Sequence, residues 1–292
     1  MRSRHAPALL GLLLVSASLI AGCTRPGNPG RPTTTSPTVT TVPGGEPGGT
    51  LPPVTSVRTN GPFATTTQTG AGSGRAGTVV RPTALGRDGL KHPVFIWGPG
   101  GGTTPASYAS LMSRIASHGF VVYSQVSRGA NGSEMVAAMN WLTSENNRAG
   151  SPYYQKLDLD KIGVGGHSYG SNSAMMAARD QRVKAFVHTA GSAFRGDGRA
   201  RNLRVPSAFI CGQNDPTANV TDCRTDYSQT TAPVFFTIMA GETHLSTPRA
   251  GLPVVVAWLR WHLGGESERR SSFLGPNCEY CTGAFTSVSK NW

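Results

Sequence analysis

The chain has 292 residues, of which 38% are hydrophobic, enough for one substantial core but too few for a second domain once the polar N-terminal stretch is set aside. Its formal charge is +12, from 27 lysines and arginines against 15 aspartates and glutamates. These cations form no dense patch interleaved with aromatics, which excludes a nucleic-acid-binding protein; a charge of about +7 stays with residues 76–292 and suits anionic headgroups, wall polymers or a plain solvated surface.

Arg2 and Arg4 precede an apolar run from Ala8 to Ile20, too short for a membrane span and shaped like a signal peptide over residues 1–22. Ile20-Ala21-Gly22-Cys23 resembles a bacterial lipobox, which implies cleavage before Cys23, lipidation of that cysteine and anchoring to the outer face of a cell membrane. From residue 23 to residue 75 the chain is mostly Thr, Pro, Gly and Ser. Such a composition predicts a disordered stalk leading to a single domain over residues 76–292.

The first strand that matters reads from His92 to Trp97, and the glycine-rich loop Gly98-Pro99-Gly100-Gly101-Gly102 follows it. Glycines there let backbone N–H groups turn toward a ligand. A second strand reads as FVVYSQV. Lys161 to Gly170 (KIGVGGHSYG) then reads as a buried strand running into Gly166-His167-Ser168-Tyr169-Gly170, with helix formers from Ser171 to Arg179 behind it. That strand-turn-helix context predicts a nucleophile elbow, with Ser168 exposed at the top of the sheet and the N–H of Tyr169 available to an oxyanion.

A serine so placed needs a base and a carboxylate to orient it, in the chain order Ser, Asp or Glu, His. The strand Val205 to Cys211 leads into Gly212-Gln213-Asn214-Asp215, and the strand Pro233 to Met239 leads into Gly241-Glu242-Thr243-His244. Asp215 and His244 therefore fall on successive loops at the same sheet edge as Ser168. Asp222 and Asp226 are the alternative acids, and Asp215 could be an ordinary turn residue. His118, His188 and His262, the last of them in an amphipathic final helix, sit where histidines are usually structural, and His167 is expected to pack beside the nucleophile. With Cys23 assigned to lipid, Cys211, Cys223, Cys278 and Cys281 remain. Bridges between Cys211 and Cys223 and between Cys278 and Cys281 are expected in an exported protein, although four cysteines allow three pairings and a CxxC pair can also bind zinc.

Between about Gly77 and Cys281 the chain resembles the bacterial cutinase-like polyester hydrolases, which include the poly(ethylene terephthalate) hydrolases. The likeness lies in Gly98-Pro99-Gly100 leading to Ala116-Ser117-His118-Gly119-Phe120-Val121-Val122, in Ser151-Pro152-Tyr153-Tyr154, in Ala257-Trp258-Leu259-Arg260 and in Ser271-Ser272-Phe273. It implies that Ser168, Asp215 and His244 are nucleophile, acid and base, and that Gly101 and Tyr169 supply the oxyanion-hole N–H groups. Gly101 stands where relatives active on aromatic polyesters have an aromatic residue, and Ser192 where they have a clamping tryptophan. Their loss predicts a preference for aliphatic esters.

The expected fold is an α/β-hydrolase, a mostly parallel sheet with helices on both faces. The expected function is an exported serine esterase needing no metal or cofactor. An acyltransferase with the same triad and a non-catalytic surface lipoprotein are the alternatives.

Overall fold

Short apolar runs separated by helical segments dictate a parallel sheet buried on both faces, because each crossover lays a helix on one side or the other. The computed structural model describes residues 50–127, 129–191 and 198–292, all within one unit spanning Pro43–Trp292. Among these residues the strands are β1 (Thr65–Ala71), β2 (Gly77–Pro82), β3 (His92–Gly98), β4 (Val121–Ser124), β5 (Leu157–His167), β6 (Val183–Thr189), β7 (Ser207–Gly212), β8 (Val234–Met239) and β9 (Phe285–Lys290). They form one sheet in the order β1-β2-β4-β3-β5-β6-β7-β8-β9. The six strands from β4 to β8 in that order run parallel, with β1 and β2 antiparallel at one edge and β9 at the other.

The helices are α1 (Ala109–Ser117), α2 (Ser133–Asn147), α3 (Tyr169–Ala177), α4 (Val220–Gln229), α5 (Thr247–Ala250) and α6 (Leu252–His262). Alternation along each strand feeds two cores. Val94 and Ile96 of β3 pack with Met139 of α2 and Met175 of α3, while Phe95 and Trp97 pack on the other face with Ile115 of α1 and Trp258 of α6. The chain visits β4 on one side of β3 and then returns to β5 on the other. At such a switch point the carboxyl ends of neighbouring strands diverge and open a crevice for ligands.

Two expectations change. The stalk was expected to reach residue 75, but residues 50–75 fold with the domain. Leu51 and Val57 are buried, and β1 pairs with β2 from Thr65↔Pro82 to Ala71↔Gly77. Threonines count as polar in a composition, yet their branched Cβ suits a half-buried edge strand. Cys23 and the stalk residues up to 49 lie outside the described residues. The last helix was expected to be amphipathic, and instead every residue of α6 from Val254 to Arg260 is buried. Arg260 explains how a charge fits there: it donates to the carbonyls of His118 and Pro52 and pairs with Glu266, whose other oxygen pairs with Arg269. Burial raises the Glu266 pKa, but the two guanidinium groups outweigh it and hold the carboxylate ionised.

Candidate active site

Ser168 joins β5 to α3 with φ 53° and ψ −122°, a positive φ that a non-glycine residue adopts only when its surroundings force it. The forcing contacts are backbone to backbone. A Cβ added at Gly170 would sit 2.1 Å from the Gly98 carbonyl oxygen, and one at Gly166 would sit 2.5 Å from the Gly170 carbonyl carbon. β3, β5 and the first turn of α3 therefore cross without side chains between them, and the serine hydroxyl is thrust out at the sheet edge.

His244 occupies the loop after β8. The Ser246 hydroxyl accepts from Thr243 N–H at 2.8 Å, and the Thr247 hydroxyl donates to the Thr243 carbonyl at 2.6 Å, so the residue before the histidine is held at both of its backbone groups. The loop after β7 is tied to it, with Asn214 N–H donating to the Glu242 carbonyl at 2.8 Å. Across this seam His244 Nδ1 lies 2.8 Å from Asp215 Oδ2, and His244 Nε2 lies 2.9 Å from Ser168 Oγ. The other Asp215 oxygen accepts from the N–H groups of Thr217 and Ala218, both at 2.8 Å. A carboxylate saturated on one oxygen presents the other in a fixed direction. It can hold His244 with Nδ1 protonated and Nε2 open to the serine proton.

The alternative acids lie elsewhere. Asp222 is in the first turn of α4, where its carboxylate accepts from the Asn219 side chain at 2.8 Å. Asp226 is buried with an oxygen 3.8 Å from His188 Nε2. His118, His188 and His262 are all pushed far down by burial, to about 4, 3 and 3, as expected of neutral packing residues. Cys211 and Cys223 are bonded to each other and so tie β7 to α4 across the Asp215 loop; Cys278 and Cys281 form the second bridge. The CxxC pair is thereby a disulfide and not half of a zinc site. The cluster His188, Cys211 and Cys223 likewise has both sulfurs engaged with each other.

Tyr169 opens α3 directly after the serine. Gly101 faces it, since a Cβ on Gly101 would lie 3.7 Å from Tyr169 Cβ. The loop carrying Gly101 is anchored one residue earlier: Gly100 N–H donates to the Tyr108 hydroxyl at 3.1 Å, and the Gly100 carbonyl accepts from the Thr103 hydroxyl at 2.7 Å. Tyr108 in turn lies 2.7 Å from His167 Nδ1, and His167 Nε2 lies 2.9 Å from the His244 carbonyl. A carbonyl only accepts, so Nε2 carries the hydrogen and Nδ1 accepts from the tyrosine. Burial first, and the nearby His244 second, lower the His167 pKa to about 4, which keeps the ring neutral.

Sequence reasoning placed His167 beside the nucleophile but missed Tyr108, which is 59 positions away in a short 3₁₀ turn and carries no local signal. Ser192, the expected site of the lost tryptophan, lies outside the described residues. A cleft of about 750 Å³ abuts the site, walled by Thr103, Tyr108, His167, Leu245 and Pro248 among others.

A family model described as PET hydrolase-like matches residues 46–291. The chain is similar to cutinase est2 of Thermobifida alba, 25% identical over 234 residues that cover 74% of this chain and 75% of that protein. It is also similar to cutinase 2 of Thermobifida cellulosilytica, 26% identical over 235 residues covering 74% of this chain and 86% of that protein.

Proposed function

The chain belongs to the PET hydrolase-like family, and on that premise we propose that it hydrolyses carboxylic esters through an acyl-enzyme on Ser168. His244 Nε2 takes the serine proton as Oγ attacks the ester carbonyl. Asp215 steadies the imidazolium that forms, and the N–H groups of Gly101 and Tyr169 receive the oxyanion. The alkoxide leaves with the proton held by His244. Water then attacks the acyl-enzyme with the same histidine as base, releasing the acid and restoring the serine. One observation supports this reading above all, the unbroken hydrogen-bonded line from Ser168 Oγ through His244 to Asp215.

Aliphatic esters are the proposed substrates, because Gly101 offers no ring to clamp an aromatic unit. Export with a lipid on Cys23 is proposed from the N-terminal sequence. No helix among the described residues is long and apolar enough to cross a membrane. Mass measurement of the mature N-terminus tests the anchor, and an unmodified Cys23 would dismiss it.

The test of the chemistry is Ser168→Ala in the full chain, assayed on p-nitrophenyl butyrate. We expect a loss of kcat on the order of 10⁶ with an unchanged circular dichroism spectrum. A fluorophosphonate probe should label the parent protein at Ser168 and the variant nowhere. Turnover close to that of the parent would overturn the proposal.

A further inference from the structure

The cleft beside His167 carries charge that ester hydrolysis does not itself require. Its volume of about 750 Å³ lies in the ordinary range for small-molecule sites. Tyr108, Leu111, Leu245, Pro248 and Leu252 give it an apolar wall. Arg58, Arg114 and Arg249 line it as well, and no aspartate or glutamate is among the lining residues. Arg58 comes from the N-terminal segment, and its pairing with Glu279 at 2.9 Å is a half-exposed one. Arg114 is held in place from behind, its Nε donating to Asn60 Oδ1 at 2.8 Å and one terminal nitrogen to the Arg58 carbonyl at 2.6 Å. Both of those acceptors are neutral, so the Arg114 charge is not cancelled. Arg249 is exposed, and its guanidinium has no partner among the described residues.

Apolar walls suit an aliphatic arm, and forked guanidinium donors suit a carboxylate or phosphate at its end. His167 and Leu245, which line the cleft, flank Ser168 and His244 in the chain, so a substrate with its carbonyl at Ser168 can extend along it. We propose that this cleft selects esters whose aliphatic acyl arm ends in an anionic group, a carboxylate or a phosphate. The inference rests on the ester-hydrolase reading above and narrows its substrate class. The chemistry stays that of hydrolysis. The acyl C–O bond breaks, water supplies a hydroxyl to the acyl carbon and a proton to the alcohol, and the distal anion leaves unchanged on the acid product.

The test compares three p-nitrophenyl esters of similar arm length on the full chain: a neutral hexanoate, an adipate half-ester and a phosphonate-tailed ester. Each rate is divided by that ester's alkaline hydrolysis rate. At low salt kcat/KM for at least one anionic ester should exceed that for the hexanoate by about three- to tenfold, mostly through KM, and the excess should shrink as salt screens the arginines. Which anionic ester gains identifies the tail. Arg249→Gln, and Arg114→Gln with it, should lower the anionic-to-neutral ratio toward one. The single Arg249 variant keeps the test clear of the hydrogen bonds that Arg114 makes. A ratio at or below one in the parent protein, or a high ratio untouched by the Arg249 change, overturns the proposal. Absence of hydrolysis of all three esters would instead remove the ester-hydrolase reading on which it rests.

Discussion

The Tyr108 hydroxyl and His167 Nδ1 meet at 2.7 Å, and through them the loop of Gly100 is joined to the carbonyl of His244. Two loops that must face each other across a reacting carbonyl are thus set by one chain of hydrogen bonds. Tyr108→Phe would leave the Gly100 N–H without its acceptor and a buried imidazole nitrogen without its donor. Each loss costs about 1–3 kcal/mol, shared between stability and the precision of the site. We expect kcat to fall by about tenfold with a smaller change in KM, since the damage is to alignment. Steady-state kinetics on a short aliphatic ester decides it, and an unchanged kcat would show that the relay does not position the loops.

Four desolvated histidines set an acid limit on stability. Desolvation lowers His118 and His167 to about 4 and His188 and His262 to about 3, all from 6.5. A group whose folded pKa is depressed binds its proton more readily in the unfolded chain. Its stabilising contribution is therefore complete above pH 6.5 and is lost as pH falls toward the folded value. Between pH 7 and pH 5 each costs about 2 kcal/mol, so Tm should fall by at least roughly 10 °C over that range. Scanning calorimetry across that interval measures it. A flat Tm would mean that these rings titrate normally in the folded protein.

Asp215 and Asp222 differ in what they touch, and substitution should separate them. Asp215→Asn keeps the shape but can present an N–H to His244, favouring the wrong tautomer. We expect kcat to drop by about 10³–10⁴. Asp222→Asn removes only a charge at the start of α4, at a cost of about 0.3–1 kcal/mol in stability, and should leave kcat within about twofold of the parent. The opposite ranking would transfer the orienting role to Asp222.

Much of the sheet was readable because its central strands are short apolar runs ended by glycine and polar loops, as in His92 to Gly98 and Ser207 to Gly212. Ser168, Asp215 and His244 stood out because each lies at or in the loop just after the end of such a run, and chain order linked them. Other features had no comparable signal. β1 hides in a threonine run, α6 is buried on the side where a surface was expected, and Tyr108 acts through a partner that only the fold brings near. Arg58 went unnoticed because it lies in a segment whose composition reads as a stalk. Composition averages over a window, whereas Leu51, Val57 and Arg58 each act singly.

That segment provides the last prediction. Leu51 donates its N–H to the Gly264 carbonyl at 3.1 Å, Pro52 and Val54 supply carbonyls to Arg260 and Arg269, and Val54 N–H donates to Glu266 at 3.1 Å. Beginning the chain at Phe63 would remove all of these partners. It would also open a path for water to a guanidinium that is now fully buried. Breaking a buried, hydrogen-bonded charge network typically costs about 3–5 kcal/mol, to which the exposed surface beneath Leu51 and Val57 adds. For a domain of this size each kcal/mol lowers Tm by roughly 2–4 °C, so the truncated protein should melt at least roughly 10 °C earlier. A chain beginning at Thr50 keeps the whole network and should melt with the parent. If both truncations melted together at the parental temperature, residues 50–62 would be a passive tether after all, and Arg260 would have to be held by Glu266 and His118 alone.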